Sequence, residues 1–267
     1  MKPLLLFTLI TLALASVTQA SISVIGNLAR TSTLKPGDSF EGVILVRNSD
    51  KEAADIRVLQ CDYLFQADGS NDYADAGQTA RSNAGWITVT PSRARIAPGE
   101  SLPIRYKGKA PADPKLQGTY WSMILVQPNS VGALAPDGRP NEVAVGLSTT
   151  IRFAVQIVTE FGNSGTRSLR VADKRLVQGE GKRALQLDIE NDGERLLIPQ
   201  MTVELFDGTG ASIGRFEAGR ARIYPGCSIR AKADLTAVPA GKYSAMVLLD
   251  SGDAQVMGAQ YDLELAP

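Results

Sequence analysis

Between Val143 and Phe161 the side chains alternate in character, and this is where the sequence is best placed to do chemistry. The odd positions are Val143, Val145, Leu147, Thr149, Ile151, Phe153, Val155, Ile157, Thr159 and Phe161. Between them stand small or polar residues, among them Ala144, Gly146, Ser148, Arg152, Gln156 and Glu160. A period of two describes an extended strand with one oily face. Strands commonly run about 3–10 residues. At roughly 3.3 Å per residue this one would reach about 60 Å. Part of its edge is then available to something outside its own domain. The competing reading is a core strand, continuous or bent at Gly146. Arg152 reads either as a solvated strand charge or as a cationic anchor on that edge.

Other candidate groups carry weaker signals. The stretch from Asp68 to Asp75 is rich in the oxygen ligands that Ca²⁺ favours, but it lacks the spacing of a calcium loop. A solvated turn is the better reading, and no metal is expected. The Arg93/Arg95 and Arg220/Arg222 pairs each fall on one face of a strand and read as solvated sheet surface. The chain has no histidine, which removes the commonest general base and a common metal ligand. It also has no glycine-rich phosphate loop, Cys-x-x-Cys pair or serine elbow. The expectation is a protein that is not an enzyme and takes no cofactor. With 28 basic and 28 acidic residues, it lacks the cationic excess of a nucleic-acid binder. Cys61 and Cys227 are expected to be separate apolar fillers rather than a disulfide.

The elements that must position this edge are short strands. Pro-Gly and Asp-Gly pairs punctuate the chain at Pro36-Gly37, Asp68-Gly69, Pro98-Gly99, Asp137-Gly138, Asp192-Gly193 and Pro225-Gly226. Runs rich in Val, Ile, Leu, Thr and aromatics lie between them. A degenerate repeat runs through the chain. Arg93-Ala94-Arg95-Ile96-Ala97-Pro98-Gly99 returns as Arg220-Ala221-Arg222-Ile223-Tyr224-Pro225-Gly226, and the strand ending at Asn48 answers to the one ending at Asn191. The sequence therefore predicts an all-β protein of two tandem immunoglobulin-like β-sandwich domains after a cleaved signal peptide. The leader is 1–20, with Lys2, the apolar run Leu4 to Ala15 and small residues around Ala20. The domains are 21–161 and 162–267, with Gly162 to Gly165 as a flexible hinge. Trp86, Trp121 and Phe65 are expected to fill the first core. The leader's apolar run is short for a membrane span, so no stable membrane insertion is expected.

Several blocks of the first unit resemble the PapD-like periplasmic chaperones of pilus assembly. They are Val43 to Asn48, Ile87-Thr88-Val89-Thr90-Pro91, Arg95 to Ser101 with Ile104-Arg105, Tyr120 to Pro128, and Thr150-Ile151-Arg152-Phe153. The resemblance implies a periplasmic chaperone that lends alternating apolar residues to a pilin-like subunit lacking a strand. Those residues would be Val143, Val145 and Leu147, continuing to Ile151. It implies that Arg152, with Arg30 as a candidate partner on the first strand, holds the subunit's terminal carboxylate. It further implies an outer-membrane usher as a second partner. The family's aromatic-Arg-Pro ending is absent; Phe153-Ala154-Val155-Gln156 stands there. Residues Tyr63 to Asp75 and the strand from Gly118 also resemble the immunoglobulin-like domain of Gram-positive cell-wall-binding proteins. That likeness leaves a structural or adhesive surface module, acting through the polar loop Asp68 to Asn83, as the alternative.

Overall fold

The computed structural model describes residues 22–129, 151–252 and 256–266. Val143, Val145 and Leu147, the leader and the Asp137-Gly138 pair lie outside the described residues.

In chain order the strands of the first half are β1 (Ile22–Ile25), β2 (Ala29–Leu34), β3 (Ser39–Asn48), β4 (Ala54–Cys61), β5 (Leu64–Phe65), β6 (Asn71–Asp72), β7 (Ile87–Thr90), β8 (Arg93–Ile96), β9 (Ser101–Lys109), β10 (Gly118–Pro128) and β11 (Phe153–Phe161). The second half adds β12 (Leu169–Gly179), β13 (Lys182–Asn191), β14 (Gln200–Phe206), β15 (Ser212–Arg220), β16 (Ser228–Asp234), β17 (Gly241–Asp250) and β18 (Met257–Leu265). Sheets ordered β1-β3-β9-β7 and β2-β11-β10-β4-β8 face each other, as do β12-β13-β16 and β15-β14-β17-β18; β5 and β6 form a small hairpin of their own. The chain is two immunoglobulin-like sandwiches in tandem.

Alternation builds the cores. Along β3, Phe40, Ile44, Val46 and Asn48 are buried while Ser39, Glu41, Val43, Leu45 and Arg47 are exposed. Ile44, Val46 and Ile104 from one sheet meet Ile124, Val126, Val155 and Ile157 from the other. In the second sandwich Leu185, Leu187 and Ile189 meet Val203, Leu205 and Val247. Each such side chain contributes about 1.5–3 kcal/mol when fully withdrawn from water.

Three glycines are required by geometry. Gly26 adopts φ +92°, in the left-handed region, as the chain leaves β1 in one sheet and enters β2 in the other. Gly42 lies opposite Tyr106, whose ring covers the space a Cβ would need, and Gly108 lies likewise beneath Phe40. Aromatic rings laid over cross-strand glycines fill the gap that a bare backbone leaves. Gly42→Ala is expected to overpack this site and cost about 1–3 kcal/mol. A denaturation midpoint equal to the parent's would refute that.

The repeat is visible in atomic detail. Asn48 and Asn191 each end a strand and are wholly buried. Asn48 Nδ2 donates to the carbonyls of Glu52 and Ile96, at 2.7 and 3.0 Å. Asn191 Nδ2 donates to those of Arg195 and Ile223, both at 2.7 Å. Each Oδ1 accepts the N–H two residues on, from Asp50 and Gly193 respectively. Both cysteines are free thiols in buried positions, and burial pushes Cys227 up to about 11.

Two expectations fail here. Trp121 and Phe65 do not fill the first core; they pack with the cluster of the second sandwich. The cause is that β10 is covered on both faces. Ile124 and Val126 point inward, whereas Trp121, Met123 and Leu125 point outward beneath other chain segments. The Gly162–Gly165 stretch is not a loose hinge either. Arg195, only 9% exposed, donates to the carbonyls of Gly162 and Ser164 at 2.8 and 2.9 Å and pairs with Glu160 at 3.7 Å.

Candidate functional site

The oily face of β11 changes character along its length. Val155, Ile157 and Phe161 are at most 4% exposed and belong to the first core. For this half, the core-strand reading describes the odd positions. Ile151, just before the strand, is 47% exposed. Arg152 is exposed too, with no hydrogen bond or ion pair to another described residue.

The backbone edge changes at the same place. One flank of β11 pairs with β10 from Phe153 to Phe161. The other pairs with β2 only from Gln156 to Phe161, and the Gln156 N–H donates to the Leu28 carbonyl at 2.7 Å. Among the described residues no strand flanks Phe153–Val155 on that side. In the facing sheet β1 is the end strand, and its outer flank is likewise unpaired among the described residues. Both open edges lie on the β1 side of the Gly26 crossover. Leu28, in that crossover, is 47% exposed. Unpaired N–H and C=O groups beside exposed apolar side chains make a template for an added strand.

The even positions of β11 face the second sandwich. Gln156 Oε1 accepts from the Tyr224 hydroxyl at 2.7 Å, Val158 joins the second core cluster, and Glu160 meets Arg195. The open edge is thereby fixed to the junction between the sandwiches.

Arg30 is placed differently from Arg152. Its register partner is Ile157, five residues beyond Arg152 and so roughly 16 Å along the strand. Its guanidinium folds back toward Gly26, and its Nε reaches neither solvent nor a partner among the described residues. Burial raises the Tyr106 hydroxyl's pKa, and the nearby Arg30 charge partly offsets this. The structure does not set the two arginines side by side.

The polar stretch Asp68 to Asp75 is the solvated turn that the sequence suggests, exposed at every residue but Ala74, while the chain on either side of it is bound inward. Asp62 accepts from the Thr79 N–H at 2.7 Å and the Ser82 hydroxyl at 2.5 Å. Asn83 is buried and donates to the Ile157 carbonyl at 3.0 Å. Gln66 Oε1 accepts from the Ser228 hydroxyl at 2.7 Å, and the Ala67 N–H donates to that hydroxyl at 2.9 Å. Arg81 pairs with Glu194 at 2.8 Å, and Gln117 donates to the same carboxylate at 2.9 Å. The flanks of the loop, through Gln66, Ala67 and Arg81, link the two sandwiches. Sequence reasoning passed over Arg81, Glu194, Arg195 and Gln156, because an isolated charge or amide carries no sign of its distant partner. Among the described residues, no group of three or more acidic or cysteine side chains is arranged to hold a metal, and no helix is long and apolar enough to cross a membrane. Arg93 and Arg95 are exposed on β8, and Arg95 pairs with Asp55 at 3.5 Å.

The Glu194 carboxyl is held below its ordinary range chiefly by the Thr166 N–H, then by Gln117 and Arg81, against the opposing effect of burial. A carboxyl with a lowered folded pKa stabilises the fold above its unfolded value and loses that contribution as pH falls through the folded value. Glu194→Gln is therefore expected to lower the melting temperature at pH 7 by about 2–4 °C. The difference from the parent should vanish in acid, below the Glu194 titration. An equal deficit at both pH values would refute the assignment.

No family model and no curated protein matches the chain. Among solved structures, it is similar to one described as a chaperone–tip adhesin complex of CFA/I fimbriae biogenesis, at 16% identity over 92% of this chain and 100% of that chain, TM-score 0.48. It is also similar to the Salmonella enterica SafA pilin in complex with the SafB chaperone, at 13% identity over 93% of this chain and 99% of that chain, TM-score 0.41. A third is the CsuC–CsuE chaperone–tip adhesion subunit pre-assembly complex of Acinetobacter baumannii, at 12% identity over 90% of this chain and 98% of that chain, TM-score 0.43.

Proposed function

We propose that the protein is a non-enzymatic periplasmic chaperone, delivered by the leader at 1–20, that captures exported pilin-like subunits by strand addition. One observation carries the reading: among the described residues β11 has no outer neighbour at Phe153–Val155, directly after exposed Ile151 and Arg152. An incomplete subunit would complete its sheet on this edge, burying its own apolar groove on alternate side chains. Val143, Val145 and Leu147 are the proposed knobs, with Ile151 closing the series. Arg152 would grip the subunit's terminal carboxylate through a charge-assisted bidentate bond. Arg30 would act less directly, holding the crossover beside the edge. The division into domains 21–161 and 162–267, and release of the client to an outer-membrane usher, belong to the same reading. No cofactor is required, because folding of the client supplies the driving force.

The adhesive alternative, through the exposed tip of the loop Asp68 to Asn83, has no observation of its own that favours it over the open edge, because the loop's hydrogen bonds to the Asp62 carboxylate, Glu194 and Ile157 are made near its C-terminal end, by Thr79, Arg81, Ser82 and Asn83. The test is co-purification of a strand-deficient subunit from periplasm. Losing a hydrogen-bonded ion pair of about 1.5–3 kcal/mol should weaken capture by Arg152→Ala roughly ten- to a hundredfold. Ile151→Asp should lose capture with an unchanged melting temperature. Parent-like capture by both variants would remove the proposal.

A further inference from the structure

We propose that the outer face of the sheet β1-β3-β9-β7 is a second docking surface, for an extended protein segment that alternates carboxylates with apolar residues. Register sets Ile25, Leu45 and Pro103 side by side across β1, β3 and β9, and the next row along holds Val43 and Arg105. Ile25, Leu45 and Val43 are 42, 37 and 43% exposed. The opposite face of this sheet already supplies the core through Ile22, Ile44, Val46 and Ile104. A sheet with one solvated face has no need of an apolar row there, and contiguous apolar surface marks an interaction site.

Charge defines the partner. The four strands carry Arg47, Arg105, Lys107 and Lys109, all exposed, against one acid, Glu41. Glu41 and Lys107 stand 3.8 Å apart. Arg47 and Arg105 have no ion-pair partner among the described residues. The chain as a whole is balanced, with 28 basic and 28 acidic residues, so this face concentrates positive charge locally. Arg47 and the Val43–Arg105 row flank the Leu45 row at about 7 Å on either side. An extended segment with acids four residues apart and an apolar residue midway matches that spacing. A lipid surface fits less well. The aromatic residues of these strands, Phe40 and Tyr106, are buried on the core side, and interfacial binding relies on protruding Trp, Phe or Leu.

The surface is separate from the edge assigned to the client, and the test separates them. The probe is a fluorescein-labelled peptide repeating Glu-Ser-Val-Ser, compared with one repeating Lys-Ser-Val-Ser, read by fluorescence anisotropy on the purified full chain. The acidic peptide should bind about tenfold more tightly or better, and less well as salt is raised. The double variant Arg47→Glu with Arg105→Glu should lose this binding while melting like the parent, and Arg152→Ala should keep it. Equal binding of the two peptides, or undiminished binding by the double variant, would overturn the proposal. Flotation with phosphatidylglycerol vesicles that depends on Arg47 and Arg105, without peptide binding, would overturn it in favour of a lipid.

Discussion

Trp121→Ala is expected to destabilise the protein by about 3–5 kcal/mol and to uncouple its two sandwiches. The indole is 3% exposed, stacks on the Tyr224 ring with centroids 4.7 Å apart, and donates from Nε1 to the Tyr63 carbonyl at 3.2 Å. Its backbone belongs to the first sandwich and its side chain to the core cluster of the second. Truncation therefore leaves a cavity at the junction rather than within either sheet pair. Tyr224 would keep its hydrogen bond to Gln156 but lose the surface on which it is stacked. Calorimetry should show the parent melting as one unit and the variant as two separable transitions, since cooperativity requires contacts that cross the boundary. Trp121→Phe keeps an aromatic ring beside Tyr224 and loses only the Tyr63 bond, so about 1–2 kcal/mol is expected. A single transition in Trp121→Ala within about 2 °C of the parent would show that the junction does not hold the sandwiches together. If capture depends on the angle of the open edge to the junction, Trp121→Ala should also weaken client binding without touching Ile151 or Arg152.

What could be read from the sequence follows from which forces are local. Turn punctuation at Pro36-Gly37, Pro98-Gly99 and Pro225-Gly226 depends on neighbouring residues alone, and those pairs sit in turns. The period of two from Phe153 to Phe161 survives because that strand has one face on its own core. On β10 the same logic misleads. Its inward face is apolar and its outward face is also apolar, so alternation cannot tell Ile124 from Trp121, and the outward side chains looked like filling for the first core. The crossover at Gly26 is only three residues, Gly26-Asn27-Leu28, which carry no sign that the next strand joins the other sheet. That crossover decides where β11 becomes an open edge. The turn from Asp68 to Asp75 is solvated as its composition indicates, but the residues flanking it give no sign of their partners. Gln66, Thr79, Ser82 and Asn83 are as polar as the turn between them, yet their hydrogen bonds run inward to Ser228, the Asp62 carboxylate and the Ile157 carbonyl.

Asn191→Leu is expected to be nearly as costly as the loss of Trp121, and more costly than Asn48→Leu. Leucine repeats the branched shape of asparagine without its hydrogen-bonding atoms, and the extra bulk of its two methyl groups is common to both positions, so the comparison between them weighs the lost bonds. The substitution strands the carbonyls of Arg195 and Ile223 and the N–H of Gly193. Each buried group left without a partner costs about 1–3 kcal/mol, which gives a loss of about 3 kcal/mol or more. Asn48 performs the same task at the matching point of the repeat, but its bond to Glu52 is only partly buried, so water can replace it. The ranking is thus set by solvent access, not by the number of bonds. Asn191 also closes the turn that presents Glu194 and Arg195, the residues that tie the second sandwich to Arg81 and Gly162. Its loss should reach the junction, whereas loss of Asn48 should remain within the first sandwich. Urea denaturation followed by circular dichroism, with Trp121 fluorescence as a junction probe, reads both effects. Equal midpoints for the two variants would mean that the repeat equalises what solvent access should distinguish. A fall of less than about 1 kcal/mol for Asn191→Leu would mean that these buried carbonyls find other donors.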